Sequence, residues 1–119
     1  MKQAGADLLL VCLCAEWCGV CRDFRSRFDQ VQARFPQVRF EWVDVEDQAD
    51  LVDPLEVDDF PTVLIGSGDA PVFFGPVRPQ AEALERLLQD RINHAHAGEQ
   101  LPVLSDTVAS LLLRLRAAL

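Results

Sequence analysis

Two cysteines three residues apart are the side chains in this sequence that are best suited to chemistry. Cys18-Gly19-Val20-Cys21 places the second thiol one helical turn from the first, within reach of a disulfide. If a helix begins here, its unpaired N–H groups and its dipole favour a thiolate at the first cysteine. Such a pair can attack a disulfide, expel the attacked partner and retain the disulfide itself. Gly19 permits a tight turn, and Trp17 is a flat apolar surface on which a substrate peptide can rest.

The other two cysteines leave alternative interpretations open. The four thiols follow the pattern C-x-C-x3-C-x2-C, which also fits a zinc site or a set of buried structural cysteines. A zinc site is disfavoured because the CxxC has no second, separated CxxC to complete it. Cys12 and Cys14 lie in an apolar stretch, so we expect them to be small core residues, and we predict no metal and no cofactor. We expect His94 and His96 to be solvated at a frayed helix end.

The elements around the CxxC decide how specific the motif is. Leu8 to Cys14 is continuously apolar, which is typical of a strand buried on both faces of a sheet. From Val20 to Phe35 the apolar residues recur at helical spacing, and Pro36 ends that helix. Val38 to Val45 suits a second strand, and Gln48 to Val52 a short helical stretch before a turn at Asp53-Pro54. A CxxC between a buried strand and a helix start is a strong redox signal.

The second half of the chain has a different order of elements. Thr62–Ile65 and Val72–Phe74 predict two strands of an antiparallel hairpin, which Gly75-Pro76 breaks. A helix is expected from Pro79 to about His94. The order β-α-β followed by β-β-α predicts an α/β fold with a mixed sheet.

The last residues form a separate feature. Residues 98–102 have the composition of a linker, and Ser105 can cap a helix that runs to Leu119 with a stripe of large apolar residues. A helix this apolar has to be covered. We therefore divide the chain into a domain over 1–97 and a linker with an amphipathic helix over 98–119, packed on that domain or on a partner chain.

Three motifs resemble those of the thioredoxin family over the range Leu8 to Ile92. Ala15-Glu16-Trp17-Cys18-Gly19-Val20-Cys21 resembles its active-site motif, and Phe60-Pro61-Thr62, about forty residues further on, resembles its cis-proline loop. Gly68 and Gly75 match glycines of its hairpin and of the turn before its last helix. The resemblance implies a three-layer α/β/α sandwich that exchanges dithiols and disulfides. It also implies roles for single residues, which are Cys18 as nucleophile, Cys21 as resolving thiol and partner in a redox-active disulfide, and Trp17, Gly19, Val20, Phe60 and Pro61 as substrate-binding residues.

Several residues depart from the family pattern. Only seven residues precede Leu8, so we expect a shortened N-terminus without the family's first strand and helix, and an extra helix at the C-terminus. Val20 replaces the proline of the active-site turn. Cys12 stands in place of a buried acid, and Trp42 in place of the lysine that partners it. A buried thiol is a poor base. These departures predict slow release of substrate from Cys18.

Composition and charge exclude several classes of protein. The longest apolar run, Leu8 to Ala15, has eight residues, whereas about 20 are needed to cross a bilayer. The segment 41–59 holds nine acids and no Lys or Arg, whereas the remaining residues carry ten acids and eleven bases. This acidic segment argues against a nucleic-acid partner. It is interpreted as a solvated face or as a docking surface for a basic partner.

The sequence therefore predicts a thiol–disulfide oxidoreductase that reduces protein disulfides, with an unidentified reductase or small thiol as electron donor. Because no segment reads as an export signal, the cytoplasm is the expected compartment. The alternative is a non-catalytic binding or assembly module that has kept the fold and its cysteines.

Overall fold

A mixed four-stranded sheet lies at the centre of the protein. The computed structural model describes residues 8–15, 17–52, 57, 59–68, 70–97 and 105–119, and the side chains of 94–97 are not part of that description. The strands are β1 (Leu8–Cys14), β2 (Arg39–Asp44), β3 (Thr62–Ser67) and β4 (Ala70–Pro76). Their order across the sheet is β2-β1-β3-β4, with β1 parallel to β2 and antiparallel to β3, and β3 antiparallel to β4.

Strand β1 is covered on both faces, as its unbroken apolar sequence predicts, and all seven of its side chains are buried. Because successive side chains of a strand point to opposite faces, they divide between two cores. Leu8, Leu10, Cys12 and Cys14 belong to one core, and Leu9, Val11 and Leu13 belong to the other. The even-numbered residues of β1 therefore belong to one core and the odd-numbered residues to the other, and each core is covered by different helices.

Helices cover both faces of this sheet. On the face of Cys12 and Cys14 lie α1 (Gly19–Arg34) and α3 (Ala81–Ala97), whose buried residues share the first core. On the opposite face lie the short α2 (Ala49–Val52) and α4 (Asp106–Ala118). The predicted three-layer α/β/α fold with a mixed sheet is confirmed. No helix within the described ranges is long and apolar enough to span a membrane.

The predicted end of the hairpin is wrong. Gly75-Pro76 was expected to break it, yet both residues belong to β4, where Gly75 pairs with Val63 and Pro76 with Thr62. β4 is an edge strand, and a proline is tolerated there because the missing N–H need not serve a neighbouring strand. The hairpin itself is confirmed, and Gly68 in its turn has a φ of +59°, a backbone conformation that favours glycine.

The C-terminal helix α4 packs on the sheet of its own chain. Ser105 caps it by accepting a hydrogen bond from Val108 N at 3.3 Å. Its buried residues Val108, Leu111, Leu112 and Leu115 join the odd-numbered side chains of β1 in the second core. Arg114 Nε also donates to the carbonyl of Leu51 at 3.0 Å, which ties α4 to α2. The predicted linker, residues 98–102, lies outside the described residues.

Gly66 in β3 allows α4 to approach the sheet closely. A Cβ atom added at this position would lie 2.6 and 2.8 Å from the two methyl carbons of Leu112 and 3.3 Å from its Cγ. Leu112 is fully buried, so its side chain cannot turn away without disturbing its neighbours.

We expect Gly66→Ala to lower the free energy of unfolding by about 1–3 kcal/mol, the usual cost of overpacking. In a Leu112→Ala background the same change should cost less than about 0.5 kcal/mol, because the clashing atoms are gone. Urea denaturation of the four proteins in this double-mutant cycle measures the coupling. Gly75→Ala is the matched control, since its added Cβ meets Phe73 at an ordinary 3.5 Å. Additive costs at 66 and 112 would show that α4 does not pack on β3.

Candidate active site

Cys18 lies where the chain passes from β1 into α1. It is the N-cap residue of α1, with its N–H donating to Ala15 O at 3.0 Å and its carbonyl accepting from Arg22 N at 3.1 Å. The first turn of α1 carries no acidic residue, so no side chain there opposes a negative charge at the helix N-terminus. Cys18 is a free, half-buried cysteine. Its sulfur is therefore available to a partner from outside.

Cys21 is bonded to a different cysteine from the one the sequence predicts. A disulfide joins Cys14 to Cys21, with Cα atoms 5.8 Å apart, and both residues are 1% exposed. Cys21 is on the inner face of α1, and Cys14 is the last residue of β1 on the sheet face that α1 covers. Cys14 is thus within bonding reach and is not the inert core residue that we expected.

Cys12 is a buried thiol on the same face of β1. Burial raises the pKa of its thiol from the ordinary 9.0 to about 12, and the positive charge of Arg25 opposes this only in part. Its Sγ lies 4.0 Å from Cys14 Sγ. At neutral pH Cys12 is therefore protonated and behaves as the core residue that the sequence predicts.

The raised pKa of Cys12 should make the folded protein weaker at alkaline pH. The unfolded chain loses this proton near pH 9 and the folded chain only near pH 12, so this contribution to stability is complete below pH 9 and is lost as pH rises towards 12. Between pH 8 and pH 10 we expect the wild type to lose about 1 kcal/mol more unfolding free energy than Cys12→Ala. Urea denaturation at the two pH values measures this difference. Equal losses in both proteins would contradict it.

Arg25 is a charged residue of the site that sequence reasoning missed. Its guanidinium carbon lies 4.8 Å from the ring centroid of Trp42, a cation–π contact. Trp42 also contacts Phe28, with ring centroids 5.2 Å apart. Arg25 follows Cys21 by four residues and so shares its side of α1, a signal that was present in the sequence.

A cleft of about 420 Å³ opens beside the disulfide. It is lined by Ala15, Cys21, Arg22, Arg25, Trp42, Asp44 and Asp47. Asp44 Oδ1 accepts hydrogen bonds from Glu46 N at 2.8 Å and Asp47 N at 3.2 Å, which holds the turn after β2 beside the cleft. Part of the acidic segment 41–59 therefore borders the site. Asp53, Glu56 and Asp58 of that segment lie outside the described residues.

Among the predicted substrate-binding residues, Trp17, Gly19 and Val20 adjoin Cys18 in the sequence and Phe60 contacts Trp17, whereas Pro61 is buried. Trp17 is 64% exposed and contacts Phe60 edge-on, with ring centroids 5.8 Å apart. Phe60 and Cys18 both pack against the first core. The Phe60–Pro61 peptide bond is cis, as predicted, and Pro61 O accepts from Val77 N at 3.0 Å. Gly19 and Val20 are exposed on the first turn of α1.

Among the described residues, no group of three His, Cys, Asp or Glu side chains is placed to hold a metal ion. Cys14 and Cys21 are bonded to each other and so offer no thiolate to a metal in this state. The side chains of His94 and His96 lie outside the description.

Comparison with known sequences gives a consistent result. The family model described as Thioredoxin matches residues 2–90. The thioredoxin of Ophiophagus hannah is 32% identical over 62 residues, which are 52% of this chain and 59% of that protein. Mitochondrial thioredoxin-3 of Saccharomyces cerevisiae is 29% identical over 84 residues, or 71% of this chain and 65% of that protein. The chain thus spans less than two thirds of the length of each of these two relatives.

Solved structures agree on the fold. The oxidised form of the same yeast thioredoxin 3 superposes with a TM-score of 0.63 at 26% identity, covering 73% of this chain and 81% of that one. Thioredoxin from Trypanosoma brucei brucei gives a TM-score of 0.65 at 24% identity, covering 76% and 80%.

Proposed function

Because the chain belongs to the thioredoxin family, we propose that it is a thiol–disulfide oxidoreductase that reduces protein disulfides through Cys18 and Cys21. The observation that carries this proposal is the placement of Cys18, a free and partly exposed cysteine at the N-terminus of α1. Cys21 follows one turn later and faces inward. A nucleophile at the surface with a second thiol behind it is the arrangement that disulfide exchange requires.

The first step is attack on the substrate. The Cys18 thiolate bonds to one sulfur of a protein disulfide, and the other sulfur leaves as a thiolate. The exposed ring of Trp17 and the edge of Phe60 form an apolar surface beside Cys18 against which a peptide can lie. Gly19 and Val20 extend this surface on the first turn of α1. Pro61 is buried directly before β3, and its role in substrate binding is proposed for the backbone beside it.

The second step is resolution. The Cys21 thiolate attacks Cys18 Sγ, the substrate leaves as a thiolate, and a Cys18–Cys21 disulfide forms. Cys12 cannot take the proton of Cys21, because its own pKa near 12 keeps it protonated at neutral pH. The proton leaves instead to water in the cleft that Cys21 lines. We therefore propose that resolution is slow, as the sequence predicts.

The partners follow from this chemistry. Substrates are protein disulfides, and the oxidised enzyme needs a reductase or a small thiol as electron donor. Asp44 and Asp47 line the cleft, and Glu46 lines a neighbouring depression that also contacts Trp17. These carboxylates support the proposal that a basic segment of a partner docks on the acidic side of the site. The cytoplasm remains the predicted compartment, although one relative carries a mitochondrial name.

Insulin reduction tests the proposed function. With excess dithiothreitol as electron donor, the protein at catalytic concentration should accelerate precipitation of the insulin B chain and turn over many times. The competing function, a binding module that keeps its cysteines, would leave the rate of insulin precipitation at that of dithiothreitol alone. Absence of turnover would reject the oxidoreductase.

A further inference from the structure

We propose that Cys14 is a third redox-active cysteine. After substrate reduction it attacks Cys21, so that the disulfide moves from Cys18–Cys21 to the buried Cys14–Cys21 pair. The inference rests on the proposed function, since Cys18 and Cys21 deliver the oxidation that Cys14 then accepts. The structure holds the end state of this transfer, in which Cys14 and Cys21 are bonded and Cys18 is free.

Cys21 lies between two possible partners. In the sequence it is three residues from Cys18, the N-cap residue of α1, so the two cysteines are about one helical turn apart. Across the layers its Cα lies 5.8 Å from that of Cys14, inside the range that a disulfide spans. The Cys21 sulfur therefore has two candidate partners, one at the next turn of the chain and one in the strand beneath α1.

Burial explains why Cys18 must mediate the transfer. Cys14 and Cys21 are both 1% exposed, so an external disulfide cannot reach either sulfur directly. Cys18 is half-buried and is the one free cysteine of the four that is not fully enclosed in the described structure. The oxidation therefore passes from the substrate to Cys18 and is then held in the buried Cys14–Cys21 disulfide.

The transfer balances in atoms and electrons. The Cys14 thiolate attacks Cys21 Sγ, the Cys18–Cys21 bond breaks, and Cys18 departs as a thiolate while the proton of Cys14 goes to solvent. No electron leaves the chain in this step. Over the whole sequence one substrate disulfide is reduced to two thiols, and the thiols of Cys14 and Cys21 are oxidised to one disulfide.

A consequence is that the enzyme becomes a monothiol after one turnover. Cys18 is again free to attack a second disulfide, but Cys21 is occupied and cannot resolve the product. Cys18 then holds a mixed disulfide until an external dithiol releases it. The freed Cys18 thiolate can attack Cys21 Sγ, which releases Cys14 as a thiol, and the dithiol then reduces the Cys18–Cys21 disulfide.

Peptide mapping can distinguish a Cys18–Cys21 disulfide from a Cys14–Cys21 disulfide. Cleavage after Glu16 separates Cys12 and Cys14 from Cys18 and Cys21. Reduced protein is treated with one equivalent of 2-hydroxyethyl disulfide, quenched in acid, alkylated and cut with trypsin and Glu-C. Residues 3–16 then carry Cys12 and Cys14, and residues 17–22 carry Cys18 and Cys21. We expect the two peptides to be cross-linked as the main product. Cys14→Ala should abolish the cross-link, and Cys12→Ala, a buried residue two positions away, should retain it.

A second arm tests the route and does not depend on the Cys14 variant folding. In Cys18→Ser the 2-hydroxyethyl disulfide meets no accessible thiol, so formation of the Cys14–Cys21 cross-link should slow about tenfold or more. An internal disulfide within residues 17–22 without a cross-link would overturn the inference and leave the proposed function standing. A cross-link that forms equally fast in Cys18→Ser would overturn the route. If every cysteine stays reduced, the proposed function fails as well.

Discussion

Replacing Cys18 with serine should reduce catalysis of insulin reduction by about 10³-fold or more, to the rate of dithiothreitol alone. A serine hydroxyl is not ionised at neutral pH and does not attack a disulfide, so the first step is lost. No other cysteine can substitute, because Cys12, Cys14 and Cys21 are each no more than 1% exposed. The measurement is the initial rate of insulin precipitation at fixed dithiothreitol.

The matched control is Cys12→Ala, which also removes one thiol but has no role in the proposed steps. We expect its rate to stay within about twofold of wild type, after correction for the folded fraction in each sample. Residual catalysis above a tenth of wild type in Cys18→Ser would contradict the assignment of Cys18 as the nucleophile.

Removing α4 should unfold most of the protein. Deletion of 105–119 uncovers the second core and removes four buried side chains, Val108, Leu111, Leu112 and Leu115. Each contributes about 1.5–3 kcal/mol through burial, and the sum is comparable with the whole stability of a small domain, about 5–15 kcal/mol. Circular dichroism and a thermal melt of the shortened chain measure the loss, with sedimentation to record its oligomeric state.

Two neighbouring leucines provide the control for this prediction. Leu111 is fully buried, whereas Leu113 is 51% exposed on the same helix. Leu111→Ala should cost about 2–5 kcal/mol, and Leu113→Ala no more than about 0.5 kcal/mol. A shortened chain that melts at the wild-type temperature would show that the domain does not need α4.

The sequence predicts the layers of this fold because β1 leaves little choice. A run of seven apolar residues without glycine or proline is typical of a strand covered on both sides, and one amphipathic helix follows it directly. Helix α4, which covers the opposite face of the sheet, was predictable as a helix with an apolar stripe. Its packing on this sheet was not, since the same stripe would serve a partner chain equally well.

The candidate site was predictable where it depends on local order. A CxxC after a buried strand places Cys18 at a helix N-terminus and turns Cys21 inward, and the structure has both features. The partner of Cys21 was missed because the pairing with Cys14 crosses two layers. Strand alternation contains the signal, since Cys14 shares its face with Cys12 and with the helix that carries Cys21.

The most direct test of the central claim is to trap the substrate on Cys21→Ser. Reduced Cys21→Ser is mixed with native insulin, quenched in acid and digested. In this variant residues 17–22 carry only one cysteine, so any adduct on that peptide identifies Cys18. We predict one insulin molecule per protein, bonded to Cys18, released by dithiothreitol and absent from the Cys18→Ser/Cys21→Ser double variant. An adduct on the peptide that carries Cys12 and Cys14, or no adduct at all, would contradict the account.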